Sequence, residues 1–127
     1  MGKEEREFIS ALENEAKYCR TGECHRNYSY VRRGLYYKQV SHIFSVFPRN
    51  QCLILRNEEL RDDHSKTMDR VFQFLNVKPI EALTQEIVHS RSYPPMPKPA
   101  ERAMKRLFRN DIESLEDLLG WDCSAWK

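Results

Sequence analysis

Apolar residues recur along this chain mostly at three- and four-residue steps, a rhythm that predicts a molecule built chiefly of amphipathic helices. Between Glu4 and Lys17 the apolar positions are Phe8, Ile9, Leu12 and Ala16, with acidic residues early and Lys17 late, as the helix dipole favours. This is the first predicted helix. Polar groups around Gly22 make Tyr18 to Asn27 a loop. Val31, Leu35, Tyr36, Val40, Ile43, Phe44 and Phe47 then form a broad apolar face ended by Pro48, predicting one long, well-buried helix.

The rhythm changes at Cys52-Leu53-Ile54-Leu55, a short unbroken apolar run between polar neighbours, as expected of a strand covered on both faces. A strand needs hydrogen-bonded neighbours, and no second convincing strand stands elsewhere in the sequence. Helical spacing resumes after Asp62-Asp63-His64-Ser65, a good helix start, with Met68, Val71, Phe72 and Leu75 on one face and Asn76 and Pro79 as stops. Ile80 to Val88 fits no single template. Pro99 suits the first position of a last helix carrying Met104, Leu107, Phe108, Ile112, Leu115, Leu118 and Leu119 before Gly120. The order helix, strand, helix suggests part of an α/β layer.

Composition narrows the possibilities without choosing among them. The 127 residues make one domain at most. With 21 Lys and Arg against 19 Asp and Glu, the net charge of +2 gives no global attraction to nucleic acid or anionic membranes. Any anion must be bound locally. The charged start Met1-Gly2-Lys3-Glu4 reads against a secretory signal, and no apolar run approaches bilayer length. Four cysteines, Cys19, Cys24, Cys52 and Cys123, lack paired spacing, so free thiols are expected rather than a disulfide framework. Cys19, Cys24 and His25 match no standard zinc ligand set, and no metal is expected.

The stretch Ser90-Arg91-Ser92-Tyr93-Pro94-Pro95-Met96 carries the most specific chemistry. Consecutive prolines stiffen a backbone that presents one arginine, two hydroxyls and a phenol, while Arg91 can meet a phosphate or sulfate with two parallel donors. Read in isolation, such a loop is more often a rigid connector than a ligand site.

These pieces, in order, resemble the C-terminal half of the sulfotransferase family. The resemblance rests on Tyr30-Val31-Arg32-Arg33-Gly34-Leu35-Tyr36, an amphipathic helix ending Phe47-Pro48, Cys52-Leu53-Ile54-Leu55 with Glu59-Leu60, and Val71-Phe72-Gln73-Phe74-Leu75. The loop around Arg91 follows, and Leu118-Leu119-Gly120-Trp121-Asp122 through Trp126 resembles the family's domain end. The chain is similar to bacterial sulfotransferase domains and the heparan sulfate N- and O-sulfotransferases. The implied fold class is α/β, a mostly helical C-terminal part of a P-loop-like sulfotransferase fold with one buried strand. Two departures stand out. His89 and Ser90 occupy the family's lysine and glycine positions, and the glycine- and lysine-containing phosphosulfate loop has no counterpart among Gly2, Gly22, Gly34 and Gly120.

The resemblance implies sulfuryl transfer from 3'-phosphoadenosine 5'-phosphosulfate to an alcohol or amine, with carbohydrate the expected acceptor. Arg91, Ser90, Ser92 and Tyr93 would hold the nucleotide, and Arg33 and Tyr36 would lie near the acceptor. Residues 1–127 then form a partial domain whose N-terminal, phosphosulfate-binding half is absent. Such a chain is expected to be inactive alone, with no catalytic base of its own, and to depend on that half or on self-association. The chain as written would be cytoplasmic, and a fragment of a eukaryotic enzyme would belong to the Golgi lumen. The alternative is a non-catalytic helical protein-interaction module whose proline loop is a connector. Arg102, Lys105, Arg106 and Arg109 also suggest nucleic-acid binding, but Glu101, Asp111 and Glu113 flank them as on a solvated helix face.

Overall fold

A computed structural model describes residues 8–20, 29–80 and 94–127. The described residues contain six α-helices, in chain order α1 Phe8–Arg20, α2 Tyr30–Gly34, α3 Tyr36–Val46, α4 Asn57–Asp62, α5 His64–Leu75 and α6 Lys98–Leu119. Two 3-10 turns, Arg49–Gln51 and Ser124–Trp126, complete the described secondary structure. The chain divides into two compact units, residues 1–43 with 95–127, and residues 44–94.

In the first unit the core holds Ala11, Val40, Ala100, Ile112, Leu115 and Cys123. Helix α1 buries Ala11 and, unexpectedly, the carboxylate residue Glu15, while Phe8 and Ile9 of its apolar stripe are exposed. A hydrogen-bonding demand turns the helix this way. Glu15 Oε2 accepts from the Val31 backbone N–H at 2.8 Å and Oε1 from that of Arg32 at 3.0 Å. These are donors that the first turn of α2 cannot satisfy internally.

The long helix expected from Val31 to Phe47 is interrupted, and of its apolar face only Val40 is fully buried. Leu35, at φ −82° and ψ 86°, separates α2 from α3. Packing and hydrogen bonds both explain the interruption. A Cβ on Gly34 would lie 3.0 Å from Phe108 Cε1 and Cζ, so α2 approaches α6 through a position where a side chain would crowd the ring. Gln39 Nε2 donates to the carbonyls of Leu35 at 2.8 Å and Arg33 at 3.2 Å, serving acceptors left open at the end of α2. Across the break, Asp111 Oδ2 of α6 accepts from the Tyr37 backbone N–H at 3.2 Å, near the start of α3.

In the second unit α5 begins and ends as its sequence dictates. Asp63 accepts from the Lys66 backbone N–H at 3.2 Å. At the other end Asn76 takes the left-handed conformation, φ 53° and ψ 44°, and bonds from Val77 to Phe72 and from Asn76 to Gln73 close a Schellman motif. Helix α6 ends comparably at Gly120, φ 66°, whose N–H reaches the Glu116 carbonyl at 2.7 Å. Pro99 is the second residue of α6 rather than the first.

The expected α/β class is overturned: the described residues contain helices and turns, and no strand. Cys52 has extended dihedrals, φ −121° and ψ 116°, but Cys52 to Leu55 are only half-buried and join no ladder among the described residues. The physical reason was already present in the sequence. An isolated extended run has no partner for its main-chain groups, so the apolar run that reads as a strand is here an extended connection between a 3-10 turn and α4. Helix α1 also continues through Tyr18–Arg20, where a loop was expected.

Candidate functional site

The sequence-predicted residues fall in different places. Ser90, Arg91, Ser92 and Tyr93, the expected nucleotide-binding group, lie outside the described residues. The side chains of Cys19, Cys24 and His25 do too. Arg33 and Tyr36 are described, and both sit at the break between α2 and α3. Arg33 is exposed, and its guanidinium makes no hydrogen bond or ion pair among the described residues. Tyr36, expected on the buried stripe, is 51% exposed.

Tyr36 helps line a groove of about 360 Å³ in the first unit, together with Gly34, Met104, Phe108, Leu115 and Trp126. The lining is chiefly apolar and aromatic, with Glu101, Lys105 and Asp111 as its charged members. Helix periodicity explains the floor, because residues 101, 104, 108, 111, 112 and 115 repeat on one face of α6. The small residue Gly34 admits the α2 backbone to this face, and Asp111 fixes the start of α3 beside it. The turn carrying Arg33 and Tyr36 is therefore held from two sides, by Glu15 on α1 and Asp111 on α6. Sequence reasoning missed both carboxylates. Their signal was an acid at an inward helical position: Asp111 adjoins Ile112 and follows Phe108 by three residues, and Glu15 follows Ala11 by four.

The second unit holds a polar cavity of about 370 Å³ lined by residues that include Arg56, Glu59, Asp63, Lys66 and Arg70. Its centre is an ion-pair cluster. Arg70 Nη1 meets Glu59 Oε2 at 2.7 Å, and Arg56 meets Oε1 through Nη2 at 3.0 Å and Nε at 3.1 Å. The hydrogen bond from Arg70 foremost, then that from Arg56, holds the Glu59 carboxyl below its ordinary value against the opposing effect of partial burial. Both Glu59 oxygens are engaged, so its role here is structural pairing. His42 is an exposed residue of α3, and His64 opens α5.

At the chain's end Glu116 accepts from the Cys123 backbone N–H at 2.9 Å and pairs with Lys127. The Lys127 ammonium first, and the Cys123 N–H second, lower the Glu116 carboxyl. These bonds tie the terminal segment carrying Trp126 to α6. Among the described residues no group of His, Cys, Asp and Glu has the makings of a metal site, and Cys52 and Cys123 are free thiols. No described helix is long and apolar enough to cross a membrane.

Helices α2 to α5, the Arg91 loop and most of α6 fall within one match to a known family. The family model described as the Sulfotransferase domain covers residues 9–114, and the chain belongs to that family. Among individual proteins it is similar to human carbohydrate sulfotransferase 15, with 29% identity over 105 residues, covering 74% of this chain and 19% of that protein. The chain thus spans about a fifth of that relative's length. No solved structure matches.

Proposed function

We propose that this chain is the C-terminal portion of a sulfotransferase that moves a sulfuryl group from 3'-phosphoadenosine 5'-phosphosulfate to an alcohol or amine, with carbohydrate as the acceptor class. The observation that carries this reading is the family match from residue 9 to 114, which includes both Arg33 with Tyr36 and the loop from Ser90 to Tyr93. The name of the human relative supports carbohydrate as acceptor.

Sulfuryl transfer, like phosphoryl transfer, needs in-line positioning and cations at developing negative charge more than covalent help from the protein. In this reading Arg91 grips phosphate oxygens of the donor with two parallel donors, Ser90 and Ser92 add hydroxyl contacts, and Tyr93 flanks the nucleotide. Arg33 and Tyr36 meet the acceptor, on a turn held by Glu15 and Asp111. Polypeptide beyond these residues supplies the phosphosulfate-binding loop and the catalytic base, as the one-fifth coverage of the relative leaves room for.

Titration of the 127-residue chain with 3',5'-adenosine bisphosphate tests the donor half of the proposal. Binding is expected, and Arg91→Ala should weaken it roughly tenfold to a hundredfold, the loss of a charge-assisted hydrogen bond of about 1.5 to 3 kcal/mol. A chain that binds no nucleotide, or binds it equally well without Arg91, defeats the reading. One observation favours the alternative of a helical interaction module: Val46, Phe47, Leu75 and Val77 are all more than half exposed in the second unit. Nucleotide binding that depends on Arg91 decides between the two.

A further inference from the structure

Beyond α6 the chain folds into a small body of its own. The Cys123 carbonyl accepts from the Trp126 backbone N–H at 2.8 Å, closing the 3-10 turn Ser124–Trp126. Asp122 Oδ1 accepts from the Ser124 backbone N–H at 2.9 Å and from the Ser124 hydroxyl. Residues 122–126 are thus bonded among themselves over short sequence distances, and a turn closed in this way moves as one piece.

Its attachment to α6 has a pivot and a latch. Gly120 is the pivot: at φ 66° it holds a conformation that only glycine takes freely, and a Cβ placed there would meet nothing within 4 Å, so the backbone has room to turn. Glu116 is the latch. One of its oxygens accepts from the Cys123 N–H at 2.9 Å and the other pairs with Lys127, so a single carboxylate near the end of α6 grips the piece at two points. The Lys127 and Glu116 side chains are 36% and 19% exposed, so water competes for the pair and the grip is reversible. Trp126, carried between those two points, is half-buried and lines the groove with Tyr36 and Phe108.

We infer that residues 121–127 are a movable wall of this groove, a strap hinged at Gly120 and latched by Glu116, whose release swings Trp126 out and opens the groove. The structure holds the closed form. An occupant larger than the space beside Tyr36 has to displace the strap, and it does so without unfolding α6, because the turn carries its own hydrogen bonds with it. A purely structural clamp behaves otherwise. There, Cys123, 1% exposed, and Trp126 leave α6 only when the whole unit unfolds.

The experiment follows Cys123 and Trp126 in the 127-residue chain. Cys19→Ser, Cys24→Ser and Cys52→Ser leave Cys123 as the sole thiol, and Trp121→Phe leaves Trp126 as the sole indole. Alkylation of Cys123 by iodoacetamide, a neutral reagent, is timed at rising urea below the unfolding transition. Opening of the strap exposes little surface, so the rate should hardly depend on urea, whereas labelling through global unfolding climbs with the full slope of that transition. Glu116→Gln, which keeps an acceptor but removes the charge, should speed labelling roughly threefold and raise acrylamide quenching of Trp126. Glu116→Ala, which removes both bonds, should speed it roughly tenfold, with helical circular dichroism retained in each variant. Labelling that carries the full global urea slope would overturn the proposal. So would rates and quenching left at parent values by both variants, or faster labelling while Trp126 stays as shielded as before. Neither nucleotide nor acceptor enters these measurements, so the strap fails or stands apart from the sulfotransferase reading.

Discussion

The two units of this chain supply the starts of their helices from opposite directions. In residues 44–94, α5 is capped by the residue immediately before it, Asp63, which accepts from Lys66 three positions on. In the unit of residues 1–43 and 95–127, the partners come from afar: Glu15 serves α2 across 16 residues and Asp111 serves α3 across 74. A local cap lets a helix start wherever the sequence says so. A remote cap lets α2 and α3 keep their starts only while α1 and α6 are docked, so the turn bearing Arg33 and Tyr36 inherits its geometry from tertiary structure.

The largest effect expected from this difference is at Glu15. Its removal in Glu15→Ala leaves two backbone donors near the start of α2 without partners, at a residue only 4% exposed. Part-buried donors left unsatisfied and the lost charge-assisted bonds cost about 2 to 3 kcal/mol together. The urea midpoint should fall accordingly, and amide exchange at Val31 and Arg32 should accelerate. A loss below about 0.5 kcal/mol would mean that α2 does not need its remote cap.

Gly34→Ala tests the other support of the same turn. Alanine improves helix propensity by about 1 kcal/mol, but its Cβ would press on the Phe108 ring at 3.0 Å, and overpacking costs about 1 to 3 kcal/mol. A net loss of about 1 kcal/mol is expected, and relief by adding Phe108→Leu in a double-mutant cycle would locate the clash. Gly34→Ala that stabilises the chain would show that the ring yields and that close approach is not what interrupts the helix.

What the sequence made legible follows the same division. Asp63, Asn76 and Gly120 punctuate their helices through bonds spanning a few residues, and their roles could be read directly. The apolar stripe of α6 was readable for the same reason, since periodicity is a local property. The break at Leu35 was not, because Phe108, Asp111 and Glu15, which hold the chain on either side of it, lie on other helices. The run from Cys52 to Leu55 misled for a related reason: apolar continuity signals burial but cannot supply the neighbouring strand that an α/β fold requires. Of the candidate site, Arg33 and Tyr36 were singled out from sequence as expected acceptor residues on one long helix, whereas the turn that carries them and the groove beside Tyr36 depend on how α2 approaches α6.

Asp63→Ala removes a single local cap, and about 1 kcal/mol is expected from denaturant unfolding. If that loss matched or exceeded the loss at Glu15, the contrast between local and remote capping would fail.

The smallest effect belongs to the Glu59 cluster and is best read as a function of pH. Arg70 and Arg56 hold the Glu59 carboxyl below its ordinary value, so the folded state binds this proton less readily than the unfolded chain does. The sign follows directly. The stabilisation is fully present above the ordinary carboxylate value and is lost as pH falls through the lower, folded-state value. Glu59→Gln should therefore flatten part of the acid limb of a stability profile while costing below about 1 kcal/mol at neutral pH, because the cluster is only partly shielded from solvent. Glu101 and Glu116 are lowered in the same direction, first by Lys98 and by Lys127 respectively, so a residual acid limb should persist in the variant. Asp62 is lowered in the same direction, first by Arg61, so an acid limb unchanged by Glu59→Gln would assign the pH dependence to Asp62, Glu101 and Glu116 rather than to the Glu59 cluster.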